Sequence, residues 1–500
     1  MKKLSWNKLL HDERRKTRAT KKRESTNTEK GRVELERDYD RILFATPTRR
    51  LADKTQVFPL EKNDSVRTRL THSHEVANLA RSIGVRVAFD HTKEVFGRAA
   101  NKWQVQRTVP ALLAAIGLSH DLGNPPFGHQ GEEAIQAWFR DRHTDNEDVL
   151  YGKIHPDFLN FDGNAQSFRL LARLQTLNDD FGLNLTDATL ASLLKYPTFH
   201  DSGHKNAYDK WGIFESEREI AEEVWRYTGL EEGQRHPLTY IMEACDDIAY
   251  SVIDAEDTVK KGYASFYDLI DYLAHHARGD DVMKHVIKES RALNRKFKKS
   301  EELSSPELID LSMQMFRVLA IFQMVDSAVE AFVANVDKMM AGTIDPDFKL
   351  IKHARAARLC KTLKDFNMKH GFRHKDVLRL ELQGNNYIQS MMDMLWSAIV
   401  KDTDNEAFNK YGYQRISENY RRVYESATAD IKKRQAKLDE KNKALPQGKT
   451  KAVLSDVDQQ ALLNARCQLL CDAVSGMTDS YLISLHEELR PLYDGYRRKG

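Results

Sequence analysis

Apolar residues recur at helical spacing along most of this 500-residue chain, in segments punctuated by Gly, Pro, Asp and Ser, and that rhythm constrains the fold more than any other feature. Period-two alternation and short β-branched runs, which would signal strands, are scarce. In VPALLAAIGLSHDLGNPPFGHQGEEAIQAWF an apolar helix is expected to open near Pro110 and to end at Gly123 and Pro125, with a second helix following Phe127-Gly128. Upstream, Leu70, Val76, Leu79, Ile83 and Val87 define another packed helix with His72 near its start. Downstream, Pro237 opens a third, with Ile241, Ala244, Ile248 and Val252 as its buried stripe. The expected fold class is all-α.

The length suits two to four domains, or one helical protein sharing a continuous core. Net charge is only +3, so composition as a whole carries no nucleic-acid signal. The exception is the first stretch, KKLSWNKLLHDERRKTRATKKRES, which reads either as a phosphate-binding arm or as a solvated, mobile tail. Cys245, Cys360, Cys467 and Cys471 include no C-x-x-C pair and read as reduced thiols packed in helices. With no recognisable signal peptide and no apolar run long enough to span a bilayer, a cytoplasmic protein without membrane contact is expected. Residues 198–215 form the longest irregular piece near the candidate chemistry, and residues 427–453 read as an exposed helix end and loop.

The chemistry centres on His120-Asp121, with His72 and Asp246 at long range. A lone His-Asp dipeptide is ordinarily coincidence, but these two fall in the last turn of a buried helix. Asp246 stands in the middle of a mostly apolar one, where a carboxylate is expensive without a compensating cation. Two imidazoles and two carboxylates suit a divalent Mg, Mn, Fe, Co or Ni ion with positions left open for water and substrate oxygens. His129 and Glu132, three apart on one helix face, form a candidate acid/base pair beyond the tight Gly/Pro turn, the alternative being an ordinary surface pair. Asp246, Tyr250 and Asp254 step by four along one side of their helix, drifting about 40° per step. Arg69, Lys195 and Lys210 lie near these elements and are candidate phosphate ligands, although each would ordinarily be a surface cation. No Walker-type Gly-rich loop is present.

With these residues in place, the chain resembles the HD superfamily of metal-dependent phosphohydrolases and, more closely, the bacterial deoxyguanosine triphosphate triphosphohydrolases, or dGTPases. The resemblance is carried by KTQVFPLEKNDSVRTRLTHSHEV, LSHDLGNPPFGHQGEEAI, FDGNAQSFRLL, PLTYIMEACDDIAYSVID, LRLELQG and VSGMTDSYL, spread from about residue 40 to 485. It implies metal ligation by His72, His120, Asp121 and Asp246, and a catalytic role for His129 and Glu132. It further implies deoxyribose contacts from Gln56, Tyr250 and Asp254, with Gln56 and Asp254 on the 3′-hydroxyl and Tyr250 packed against C2′, where a ribose hydroxyl would clash. Arg69, Lys195 and Lys210 fall where the family places triphosphate ligands. Glu381 matches a guanine-contacting acid supplied by a neighbouring subunit, with Arg421 as its partner, and a hexameric assembly is implied with it.

The expected organisation is a basic arm over 1–35, an HD catalytic core over 36–270, and an extended helical region over 271–500 that contributes to the substrate pocket and to oligomer contacts. The expected reaction is metal-dependent cleavage of dGTP to deoxyguanosine and inorganic triphosphate, with Mn or Mg as the favoured ion. The alternatives are an HD hydrolase of another substrate, such as a broader deoxynucleoside triphosphate triphosphohydrolase open to regulation by nucleotide or single-stranded DNA or a cyclic-nucleotide or nucleotide phosphatase, and a nucleic-acid-binding module drawing on the basic tail. The tail, the 198–215 loop and the 427–453 segment depart from the family pattern.

Overall fold

The structure, a computed structural model, describes residues 2–20, 31–60, 66–175, 179–203, 208, 210–299, 303–401, 405–443 and 451–497. The principal helices are α1 (Glu34–Leu43), α2 (Arg69–Asp90), α3 (Val105–Ser119), α4 (Gly128–Thr144) and α5 (Gly163–Arg169). They continue as α6 (Pro237–Lys260), α7 (Ser305–Ala341), α8 (Lys375–Val400), α9 (Glu418–Lys443), α10 (Asp456–Ser475) and α11 (Asp479–Arg497). Among the described residues strand-type pairing is limited to the isolated bridges Arg14–Thr186 and Thr55–Thr68. The fold is all-α, as the periodicity requires.

Helices α2 and α3 pack along their length, with α1 against α3 and α6 against both. The crossing is close because Gly117 presents bare backbone: a Cβ there would sit 2.8 Å from Ala77 Cα. Helix α3 begins at Val105, five residues before the expected start, and runs through Pro110. Val105 and Val109 are fully buried, so packing carries the helix past a residue that removes one backbone donor. Buried apolar side chains from Leu4 to Tyr493 form one continuous cluster, so no break in the core falls at residue 270. Helices α8, α10 and α11 close the site-bearing half, α8 against α4 and both α10 and α11 against α8.

Two expectations are corrected. The reading of the first 35 residues as an arm does not hold for residues 2–20, which are part of the folded body. Trp6, Leu9 and Leu10 are buried, Trp6 Nε1 donates to Val95 O at 2.7 Å, and Leu4 N donates to Met340 O at 2.7 Å. Its arginines are matched internally: Arg14 pairs with Asp38 and Glu34, Arg15 with Glu223, and Arg18 with Asp187 and Glu223. An amphipathic segment with buried acidic partners gains more by docking than by remaining solvated. Residues 21–30 of that stretch lie outside the described residues. The second correction concerns apolar length. Helix α7 is, by length and composition, apolar enough to cross a membrane, with mean hydropathy 1.4 over its most apolar 18-residue window. Its register supplies Met313, Phe316, Ala320, Met324 and Phe332 to the core against α6, and Arg317 pairs with Glu256.

The four cysteines are free and buried. Of the 427–453 segment, residues through Lys443 continue α9 and bury Thr428 and Ile431, while 444–450 lie outside the described residues.

Candidate active site

Three helices deliver the candidate ligands. His72 is the fourth residue of α2, His120 and Asp121 follow α3 directly, and Asp246 stands in the first half of α6. His120 Nδ1 donates to Gly117 O at 2.7 Å, the end-of-helix carbonyl fixing the ring and leaving Nε2 to face the site. Nε2 lies 3.6 Å from Asp121 Oδ1 and 3.5 Å from Asp246 Oδ1, and it is buried without a hydrogen-bond partner. His72 Nε2 lies 3.2 Å from Asp246 Oδ1, and the two imidazole centroids are 5.5 Å apart. Ligand atoms of His72, His120 and Asp121 all fall within 4.8 Å of one another.

The electrostatics match a cation. Burial disfavours ionised Asp121, yet Arg69 and His120 hold its carboxyl down at about 2. Burial likewise opposes ionised Asp246, and the nearby His120, with His72 and Lys195 behind, keeps it well below the ordinary carboxylate range. His120, despite burial, is raised to about 9 by Asp121 and Asp246. Two retained negative charges facing two imidazoles, one with an orphaned buried nitrogen, fit a divalent ion by both charge and donor type.

The HDLGNPPFGH turn is held from several sides. Asn124 Nδ2 donates to Asp121 Oδ1 at 2.7 Å, while the Arg69 guanidinium donates to Asp121 Oδ2 at 2.5 Å. Arg69 also crowds Gly128, where a Cβ would meet Nη2 at 2.5 Å, so this arginine ties the metal-side carboxylate to the turn that leads into His129. Phe127 has φ +60 and Gly128 φ +59. A phenylalanine in the left-handed region is strained and needs outside support. Asp479, at the start of α11, accepts from Phe127 N at 3.1 Å and from Thr55 N at 3.0 Å. Gly384 of α8 lets the Phe127 ring lie flat on its backbone, since a Cβ there would meet the ring at 2.5 Å. Buried Lys54 donates to Asn124 O at 2.6 Å and to Ser475 O at 2.7 Å. Burial lowers its pKa to about 7, and the neutral amine still has two N–H groups for the two carbonyls.

His129 and Glu132 form the expected pair. Nδ1 lies 3.0 Å from Glu132 Oε2, the imidazole side chain is 79% exposed, and the carboxylate side chain is 7% exposed. The Glu132 bond raises the His129 pKa above its usual 6.5, while Arg69 and Lys210 act the other way and so stand near it. Glu132 is itself fixed by Gly163 N, which donates to Oε1 at 2.7 Å. Gly163 permits this approach, because a Cβ would sit 2.0 Å from Asn124 Oδ1 and 2.7 Å from Glu132 Oε1.

The remaining candidates divide. Lys195 Nζ is 4.0 Å from Asp246 Oδ2 and 3.7 Å from Glu243 Oε1, at the edge of the ligand set. Lys210 Nζ donates to Asp162 Oδ2 at 2.7 Å beside Gly163. Tyr250 packs against Phe372 with centroids 5.5 Å apart, one turn beyond Asp246. Burial, then Asp257, pushes the Asp254 carboxyl well above its ordinary value. Asp254 Oδ2 and Gln56 Oε1 are both buried without a hydrogen-bond partner. Glu381 and Arg421 do not pair within the chain. Glu381 lies in the first third of α8, where burial and Glu133 raise its pKa, whereas Arg421 of α9 donates to Ile416 O at 3.1 Å and lies over the Tyr413 ring. Residues that hold the site without having been singled out are Lys54, Asn124, Asp162, Gly163 and Asp479. All five sit inside the quoted motifs, Lys54 opening KTQVFPL and the others falling in HDLGN, FDGNAQ and VSGMTDSYL, so motif membership was the available signal.

An HD-domain family profile matches residues 69–162, a span that includes every candidate of the metal and His129 groups except Asp246. A deoxyguanosinetriphosphate triphosphohydrolase-like protein of Listeria monocytogenes is 33% identical over 98% of this chain and 100% of its own length. The chain belongs to that family. A deoxyguanosinetriphosphate triphosphohydrolase of Yersinia pestis is 32% identical over 93% of each chain. A triphosphohydrolase-like protein of Pseudomonas aeruginosa is 31% identical over 97% of this chain and 98% of its own. Similarity to this triphosphohydrolase family therefore extends through α8–α11, of which α8, α10 and α11 brace the Phe127 turn.

Proposed function

We propose that this protein hydrolyses dGTP to deoxyguanosine and inorganic triphosphate, by attack of water at the α-phosphorus. The observation that carries the reading is the junction of two constellations through Arg69: the His72, His120, Asp121 and Asp246 donors on one side and the oriented His129–Glu132 pair on the other. A divalent ion at those four donors, Mn or Mg by preference and Co, Fe or Ni by the same ligand chemistry, would polarise an α-phosphate oxygen and lower the pKa of the attacking water. His129, exposed and oriented by Glu132, would exchange a proton on the α-phosphate side of the active-site groove. Arg69, Lys195 and Lys210 supply positive charge for the phosphate chain, each already held by a carboxylate that fixes where the cation stands. The orphaned acceptors of Gln56 and Asp254 suit a sugar hydroxyl donor, and the Tyr250 ring between Asp246 and Asp254 suits the hydroxyl-free C2′ of deoxyribose.

A broader deoxynucleoside triphosphate triphosphohydrolase is the second reading. It applies where the base-reading set is incomplete: Glu381 and Arg421, the candidate guanine readers, do not meet within one chain, and the first reading draws them from neighbouring subunits. Base selection through them would need the assembled oligomer. Chromatography of products from each of the four deoxynucleoside triphosphates and GTP, with Mn or Mg, decides between them. Deoxyguanosine and intact triphosphate from dGTP alone support the first reading. Cleavage of all four with triphosphate release supports the second, and orthophosphate or pyrophosphate as the product overturns both.

A further inference from the structure

Away from the groove, a second group of metal-binding side chains converges where the one-turn helix Pro156–Leu159 meets the segment that follows Leu194. Asp157 is 2% exposed; its Oδ2 accepts from Glu215 N at 2.7 Å, and its Oδ1 is buried without a hydrogen-bond partner. His155 Nδ1 lies 3.4 Å from Oδ2 and His200 Nδ1 lies 3.7 Å from Oδ1, the latter nitrogen also buried and unpartnered. The two imidazoles stand edge to face with centroids 4.3 Å apart, and ligand atoms of all three residues fall within 4.8 Å of one another. Among the described residues no lysine or arginine lies within ion-pair distance of this carboxylate. The neighbouring Arg169 and Arg173 are engaged by Asp472 and Glu217.

We propose that His155, Asp157 and His200 form a second metal site, for a divalent transition ion of the zinc class. A buried carboxylate requires a compensating positive charge, and an imidazole supplies one only when protonated or when it shares a cation. Bonds of 2.0–2.2 Å in a tetrahedron place neighbouring ligand atoms about 3.3–3.6 Å apart, so ligand atoms that already fall within 4.8 Å of one another, with each imidazole beside one oxygen of the carboxylate, would need to draw in by about an ångström. His155 Nδ1 also accepts a long 3.3 Å bond from Asp157 N, which coordination would replace. A cavity of about 330 Å³, lined by His155, Asp157, Arg169, Glu215 and Ser216 among others, adjoins the cluster and leaves room for a water ligand. With two nitrogens and one carboxylate, the set is smaller and softer than that of the groove, hence zinc rather than magnesium.

Position gives the site a consequence. His200 lies between Lys195 and Lys210, and Asp157 precedes by five residues Asp162, which binds Lys210. An ion here would fasten the middle of the lysine-bearing segment to the element that holds its end.

The test clears the first site and reads zinc directly. Full-length protein carrying His120→Ala and Asp246→Ala is stripped with chelator, titrated with zinc chloride against a chromophoric competitor, and checked for native helicity. One tightly held zinc per chain and a zinc-dependent rise in Tm are expected. Adding His200→Ala, or separately His155→Ala, should abolish both while helicity is retained. Absence of stoichiometric zinc from the His120/Asp246 variant overturns the proposal, as does zinc retention indifferent to His155 and His200. Neither result bears on dGTP cleavage, which this background does not measure.

Discussion

At the level of single residues, the exposed His129 and the enclosed Glu132 divide one task. The carboxylate, fastened by Gly163 N, has little freedom, so the imidazole it orients inherits a fixed direction. Replacing His129 by Ala should lower kcat by roughly a hundredfold or more with metal content unchanged, measured by steady-state kinetics beside metal analysis. The pH response follows from the raised His129 pKa. As a base, His129 works in its neutral form, so kcat/KM should fall as pH drops through that raised value. Glu132→Gln removes the charge that raises it and should move this limb to lower pH; a limb that stays in place would detach the profile from His129. Asp246→Ala, by contrast, should strip the metal before it alters any pH limb.

At the level of elements, the turn between α3 and α4 depends on backbone approach. Two glycines there permit it. A Cβ on Gly123 would lie 2.2 Å from Ser167 N and 2.3 Å from Gly163 O, contacts with backbone that cannot swing away. Gly123→Ala should therefore destabilise the protein by roughly 1–3 kcal/mol or more, seen as a lower denaturation midpoint. At Gly163 the obstructed atoms are the side-chain ends of Asn124 and Glu132, which hydrogen bonds hold in place and which a Cβ would force aside at the cost of those bonds. Gly163→Ala should lower the midpoint as well and displace the partners of Asp121 and His129, reducing kcat on the order of a hundredfold, the scale of an ångström-sized misplacement. The helices themselves were legible from sequence because their apolar period is strong. The path of α3 through Pro110 was not, since a local helix-breaking cost was outweighed by burial of Val105 and Val109 against partners distant in sequence.

At the level of the whole molecule, the C-terminal helices brace a site to which they contribute no candidate metal ligand, and the N-terminal residues join the core behind it. Trp6 sits in the continuous core against Phe96, and Trp6→Ala should cost about 3–5 kcal/mol of stability, measured by chemical denaturation. Deletion of residues 2–20 should consequently impair folding, so a nucleic-acid role for this stretch is better tested by replacing individual exposed lysines. What the sequence by itself determined was the fold class, through helical periodicity, and the identity of the candidate donors, because imidazoles and carboxylates placed in apolar helices are conspicuous wherever the chain goes. Only the tertiary structure decided that a basic leader would be consumed by Asp38, Asp187 and Glu223, that Arg69 would join the metal-side carboxylate to the His129 turn, and that Lys54 and Asp479 would brace that turn from opposite ends of the chain. Those outcomes rest on contacts between residues tens to hundreds of positions apart, and local pattern carries no information about which buried charge will find which partner.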